Sequence, residues 1–320
     1  MVSQSGAPAD EGRAGSAGLG LQSGQIADSP LVSVTLIFLN GEDFIGEAIE
    51  SVLAQTFTKW ELVLVDDGSG DRSTEIAKDY AARFPRKIRY IDHQGHANLG
   101  MSASRNAGVA ASSGPLLAFI DADDVWIPQK LEMQVELLRA YPEAAVVFGS
   151  LLYWRSWDRE GGLPDQVILT AGVADRFIRP PDGLLLAYPL GHAPGAGVDV
   201  MVHRTVFDAV GGFEAQFRGL YEDQAFILKI LLSYPAYISS IPWLKYRQHR
   251  KSNVYQSHES GSYERDRNRF LSWFENYIAG RSPDPRVVDA LKAAQQSGWK
   301  SKIRNFRHRV HWKIKKLMAP

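Results

Sequence analysis

Three carboxylates arrive together where a short apolar run ends. Leu116 to Ile120 reads as a buried strand, and Asp121, Asp123 and Asp124 follow at once. Crowding them costs repulsion that stability alone gives no reason to accept. A divalent cation gives one, because hard oxygen ligands hold magnesium or manganese and the ion neutralises a diphosphate. One residue between Asp121 and Asp123 puts both side chains on one side of an extended segment. The plain alternative is a solvated turn that caps a helix beginning near Pro128. A calcium loop fails, since Val125 and Trp126 stand where an oxygen ligand and a glycine are needed.

The preceding eighty residues say where that cluster sits. Val32 to Leu39 is a β-rich apolar run. Ile45, Ala48, Ile49, Val52 and Leu53 then recur at helical spacing. Glu61 to Val65 reads as a second strand ending in Asp66-Asp67-Gly68-Ser69, and a helix is expected from about Arg72 to Phe84 with Asp71 as its cap. Strand Ile88 to Ile91 and a small-residue helix from Gly100 to Gly108 complete the run. Alternation of this kind predicts an α/β fold, a mainly parallel central sheet with helices on both faces. Ligands of such sheets bind beyond the carboxyl ends of the strands. Both acidic clusters lie at those ends. Asn40-Gly-Glu-Asp43 is no glycine-rich phosphate loop, and no Gly-x-Gly-x-x-Gly or Walker sequence follows a strand. That argues against a dinucleotide dehydrogenase and a P-loop kinase.

Val65-Asp-Asp-Gly-Ser69, Asn98-Leu-Gly100, Arg105-Asn-Ala-Gly108 and Phe119-Ile-Asp-Ala-Asp-Asp124, at this spacing, resemble the family 2 glycosyltransferases. The resemblance resumes at Gly211-Gly-Phe213, Tyr221-Glu-Asp-Gln224 and Tyr246-Arg-Gln-His249 with Ser252-Asn253, and so covers about residues 32 to 254. It implies the GT-A fold and an inverting, metal-dependent transfer of a sugar from a nucleotide-diphosphate donor, a UDP-sugar by expectation. The acceptor would be a hydroxyl of a glycan or lipid-linked molecule in cell-surface polysaccharide synthesis. The cofactor implied is Mg or Mn, held by Asp123 with His249. Asn40, Asp66, Asp67, Arg105 and Asp121 would bind the nucleotide, one of the Asp66-Asp67 pair at a uracil imide. Asp223 would be the general base, with Glu222 and Phe213 supporting it beside the acceptor. The bland readings stand next to these. Asp67 would bond locally in a tight turn, Arg105 would pair with Asp66, and Glu222 and Asp223 would merely favour a helix N-terminus. Trp154, Trp157 and His192 lie in the weakly matching stretch 151–198, as sugar-stacking or core residues alike. Where many family members carry an aromatic residue before the Asn, this chain has Leu39. A nucleotidyltransferase and a non-catalytic nucleotide-sugar binding module are the alternative readings.

Hydrophobic content of 45% and 22% charged residues are ordinary for a globular protein, and the absence of cysteine excludes disulfides and thiol chemistry. No apolar run approaches a membrane span. The expected organisation is a disordered tail over 1–29 without a signal peptide, a GT-A domain over 30–255, a helical extension over 256–298 and a basic helix over 299–320. The domain divides into a nucleotide-binding half, 30–150, and an acceptor half, 151–255. The neutral total charge is uneven. The last 22 residues carry eight Lys and Arg and no carboxylate, leaving 28 basic against 36 acidic elsewhere. Trp299, Ile303, Phe306, Val310, Ile314 and Leu317 form one helical stripe among those charges. An interfacial helix on an anionic membrane is the preferred reading over docking on the body, and nucleic acid is disfavoured because a phosphate backbone has no use for the stripe. The expected location is therefore cytoplasmic, peripheral at the inner face of the membrane.

Overall fold

The computed structural model describes residues 30–158, 163–195 and 197–297. The expectations for 1–29 and 299–320 lie outside them. The first half alternates as its sequence pattern dictates: β1 (Val32–Phe38), α1 (Ile45–Leu53), β2 (Trp60–Asp66), α2 (Ser73–Arg83), β3 (Ile88–Asp92), α3 (Met101–Ala110) and β4 (Leu116–Asp121). A two-residue strand β5 (Val125–Trp126) and α4 (Lys130–Ala140) follow. The rest comprises β6 (Val146–Trp154), β7 (Gln166–Ile168), β8 (Arg176–Ile178), α5 (Asp182–Leu186), β9 (Val200–His203), α6 (Arg204–Val210), α7 (Glu222–Ser233) and β10 (Ala236–Arg247). Helices α8 (Asn253–Ser260), α9 (Tyr263–Ile278) and α10 (Pro285–Gln296) end the described chain.

Among the described residues one sheet runs in the order β3-β2-β1-β4-β9-β6-β10-β5, with β7 and β8 at its margins. The expected parallel core is β3-β2-β1-β4. Beyond it β9 runs antiparallel to both β4 and β6, so that end of the sheet is mixed. The alternation along β1 fixes the layers. Val32, Val34, Leu36 and Phe38 pack toward α1 and α4, while Ile37 joins Val63 and Val65 on the side covered by α3. Helix α3 needs its small residues, since a β-carbon on Gly108 would collide with Thr35 of β1. The expected α2 begins one residue later than its pattern suggested, and Asp71 Oδ1 accepts the Ser73 N–H at 2.9 Å.

The second core lies on the α3 side of the sheet's other end. Phe119, Phe148 and Val202 of the sheet meet Phe226 and Ile230 of α7, and Phe270 and Phe274 of α9 complete the layer. Val287 and Leu291 of α10 belong to the same cluster. The 256–298 segment is thus helical in α8, α9 and α10, up to Gln296, and its last two helices are packed into this second core. The linker-like Arg281-Ser-Pro-Asp-Pro285 is the turn between α9 and α10. Asp284 caps α10 by accepting the Arg286 N–H at 2.8 Å, and Pro285 opens the helix where no amide partner is needed.

Candidate active site

Both acidic clusters stand at the carboxyl edge of the parallel strands. Asp66 closes β2, Asp121 closes β4, and Glu222 and Asp223 form the first turn of α7. Arg105 joins two of these groups. Its side chain, 1% exposed, donates to Asp121 Oδ1 at 2.6 Å and to Glu222 Oε1 at 3.1 Å. The guanidinium also lies over the Phe213 ring, 5.3 Å from its centroid. Arg105 pairs across the site and makes no bond to Asp66, the partner expected of it. Burial opposes its charge, but Asp121 and then Glu222 more than compensate and hold it protonated.

Phe213 is a core aromatic. It stacks on Phe226 at 4.2 Å and meets Phe119 edge-on, and it underlies Arg105 with no face open to an acceptor. The Gly211-Gly212 turn that leads into it has φ of 76° and 61°, and the Asn106 side chain brackets the Phe213 amide and carbonyl.

Asp66 and Asp67 are both buried and richly bonded. Asp66 accepts from the Gly68 and Ser69 amides and from the Thr74 and Tyr90 hydroxyls. Asp67 accepts from the Leu99 and Gly100 amides and from the Ser104 hydroxyl. The local turn bond expected of Asp67 is therefore made by Asp66, while Asp67 reaches over thirty residues ahead to fix the start of α3. Asn40, in the left-handed region at φ 53°, accepts the Gly70 N–H at 2.8 Å and its amide donates to Ser69 Oγ. These bonds knit the loops after β1, β2 and β3 into one floor.

At the turn after β4, Asp123 Oδ2 and His249 Nε2 are 2.9 Å apart, and the His249 Nδ1 atom is buried without a partner. Asp121 is turned to Arg105. Among the described residues no group of three or more His, Cys, Asp or Glu is placed to hold an ion. The donor set does not fit an all-protein cage. It does fit a cation that takes most of its shell from a diphosphate and water, which needs only one or two protein carboxylates. Asp124 is buried with Asp123 and Asp121 for neighbours, and burial first, then those charges, push its carboxyl well above the usual range.

Burial likewise raises Glu222, with the Asp223 charge adding to it and Arg105 opposing. Asp223 is raised by burial, against the pull of its bond to the Gln224 amide and of Arg105. A carboxylate of raised basicity beside a cleft is suited to accept a proton. Trp154 and Trp157 are half-buried around Arg247, which favours neither a sugar platform nor a deep core; His192 is exposed. Sequence reading singled out none of Glu47, Phe44 or Arg247 as a site residue in its own right. Only the β5–β10 pairing, more than a hundred residues apart in sequence, brings them to Asp123.

The tether can be tested by removing it. Arg105→Met leaves two buried carboxyls without their cation, and loss of one partner of such a pair costs about 3–5 kcal/mol. The expected outcome in urea denaturation is a lower midpoint whose deficit widens as pH rises from 5 to 8. Without Arg105 the folded carboxyls hold protons that the unfolded chain releases, so stability falls as pH rises. A pH-independent deficit would show that Arg105 acts by packing alone.

Residues 33–167 match the glycosyl transferase family 2 model. A UDP-Glc:alpha-D-GlcNAc-diphosphoundecaprenol beta-1,3-glucosyltransferase, WfgD of Escherichia coli, is 35% identical over 111 residues, covering 35% of this chain and 42% of that protein. The chain spans a third to about half of the length of the first curated relatives it matches. The crystal structure of Staphylococcus aureus TarS 1–349 in complex with UDP-GlcNAc superposes with a TM-score of 0.59 at 18% identity, covering 75% of this chain and 65% of that one. The mannosyltransferase PcManGT of Pyrobaculum calidifontis, in complex with GDP-Man and Mn2+, gives 0.56 at 19% identity over 84% of this chain and 70% of that one. The strand order, the carboxylates at the strand ends and these likenesses agree: the chain has the GT-A fold, and its residues 33–167 are similar to glycosyl transferase family 2.

Proposed function

We propose that the protein transfers a sugar from a nucleotide-diphosphate donor, with UDP as the expected nucleotide, to a hydroxyl of a glycan or lipid-linked acceptor in cell-surface polysaccharide synthesis. The observation that carries this reading is the Arg105 bridge, which joins the donor-side Asp121 to Glu222 in the first turn of α7, next to Asp223. The lipid-linked acceptor in the name of WfgD and the UDP-GlcNAc bound to TarS support the substrate classes.

The floor built by Asn40, Asp66 and Asp67 would receive the nucleoside, and Asp121 would face its ribose. Asp123 and His249 would hold a divalent cation, which supplies charge neutralisation for the departing diphosphate. Asp223 would take the proton from the acceptor hydroxyl as its oxygen attacks the anomeric carbon. A single displacement inverts that carbon and needs no carboxylate nucleophile, so Glu222 serves Asp223 through its bond to Arg105. Arg105 orients both carboxylates.

Two substitutions separate the steps. Asp123→Ala should remove the gain in UDP affinity that Mn2+ brings, with the fold intact by circular dichroism. Calorimetry showing the same Mn2+-dependent gain would sink the assignment. Asp223→Asn should leave that affinity near normal while transfer falls by about two orders of magnitude or more, the usual worth of a general base. Full transfer by Asp223→Asn, with Glu222→Gln inactive, would reverse the two roles.

The basic stripe of 299–320 is part of the same proposal. No helix among the described residues is long and apolar enough to cross a membrane. Eight basic residues flanking an apolar stripe fit an anionic membrane surface, where a lipid-linked acceptor would be met. The full chain should float with anionic vesicles and be released by high salt, while a chain ending at Ser297 should remain in solution. Failure of the full chain to float at low salt would refute membrane binding.

A further inference from the structure

Arg247 closes β10 and is almost fully buried beside the metal turn. Its place follows from register. Strand β5 pairs antiparallel with β10, Val125 opposite Lys245, so two residues further along Arg247 comes level with Asp123. There it makes three bonds with separate purposes. Its amide donates to Asp124 Oδ1 at 3.0 Å. Its Nε donates to the Asp123 carbonyl at 2.7 Å. Its terminal nitrogen pairs with Glu47 Oε2 of α1 at 2.5 Å. Three aromatic rings surround the same guanidinium, Trp154 at 4.4 Å, Phe44 at 4.7 Å and Trp157 at 5.1 Å. Trp157 also ties the next segment down, because its Nε1 donates to the Gln248 carbonyl and its ring meets His249 edge-on.

We propose that Arg247 is the positioning residue of the metal turn, clamping the Asp123 backbone so that the Asp123 carboxylate and His249 present a fixed pair to a metal-bound diphosphate. This rests on the functional reading above. The chemistry favours orientation over charge. Two of the guanidinium's five N–H groups go to a carbonyl and to Glu47, and rings line its faces, so the fork is fixed to the turn and to α1 at once. A planar fork can satisfy an acceptor on each side while stacked between aromatic faces. An ammonium is a point charge and cannot span both. The proposal also gives Trp154 and Trp157 a purpose: they are the walls that hold the guanidinium flat.

The test compares the full chain with Arg247→Lys, Arg247→Gln and Glu47→Gln, titrating UDP in the presence of Mn2+ and in the presence of EDTA. Residues that orient metal ligands from outside the ligand set typically cost about 10–100-fold in metal affinity when changed. Arg247→Lys should therefore lose at least about tenfold in the Mn2+-dependent affinity and keep the EDTA affinity. Glu47→Gln should lose less, in the same direction. Its carboxylate is half exposed, so it carries the comparison even where Arg247→Gln fails to fold. Wild-type Mn2+ dependence in Arg247→Lys, or in Glu47→Gln, overturns the proposal. So does an equal loss in EDTA, which would mean direct contact with the nucleotide. A wild-type chain that binds UDP no better with Mn2+ overturns the functional reading, and this assignment with it.

Discussion

The Arg105 guanidinium is the interaction on which the rest of the site depends. One buried cation is shared by carboxylates that enter from opposite halves, 16 and 117 residues away along the chain. Burial makes every member costly alone: desolvation pushes the carboxyls toward their neutral forms and works against the arginine's charge. Together they are tolerable. A buried ion pair is weak as a source of net stability, because desolvation offsets most of the attraction. What it fixes is geometry. The end of β4 and the first turn of α7 are held in one register by a rigid fork, and the Phe213 ring beneath prevents the fork from tilting.

The floor under that bridge is built from saturated carboxylates. Asp66 and Asp67 accept from four and three separate groups respectively, so they behave as anchors for amides at the ends of loops. Hydrogen bonds to a carboxylate are among the stronger ones available to a backbone N–H. They hold the start of α3, and therefore Arg105 one turn into it, at a set height above the sheet. Rigidity of the floor and placement of the bridge are one property.

Much of this was legible in the sequence, and the division has a physical basis. Apolar, β-rich runs at Val32–Phe38 and Glu61–Val65, and helical spacing from Ile45 to Leu53, report burial on two faces and on one, so the parallel half followed from local pattern alone. The carboxylates at its strand ends followed too. The reach of Arg105 did not. Its partners are chosen by how α7 packs on Phe119, and no spacing within the chain encodes that. The exchange of turn roles between Asp66 and Asp67 was equally hidden, since both sit next to Gly68 and only the fold decides which one faces α3. The reversed strand β9 and the long bulged β10, which contains Pro242, lack the clean period of the first half. Trp154 and Trp157 could not be assigned without Arg247, which arrives 93 and 90 residues later.

The late arrival of β10 has a consequence for how the protein is made. Chains emerge from the ribosome amino end first and tend to fold in that order. The segment carrying Asp121, Asp123 and Asp124 is complete long before Arg247 and His249 exist. During that interval Asp123 and Asp124 lack the imidazole and the amide that later hold them. A nascent chain therefore carries a parallel half whose turn after β4 is still unset. Competence arrives in one step, when the last strand of the sheet slides in beside β6 and pairs with two residues of β5.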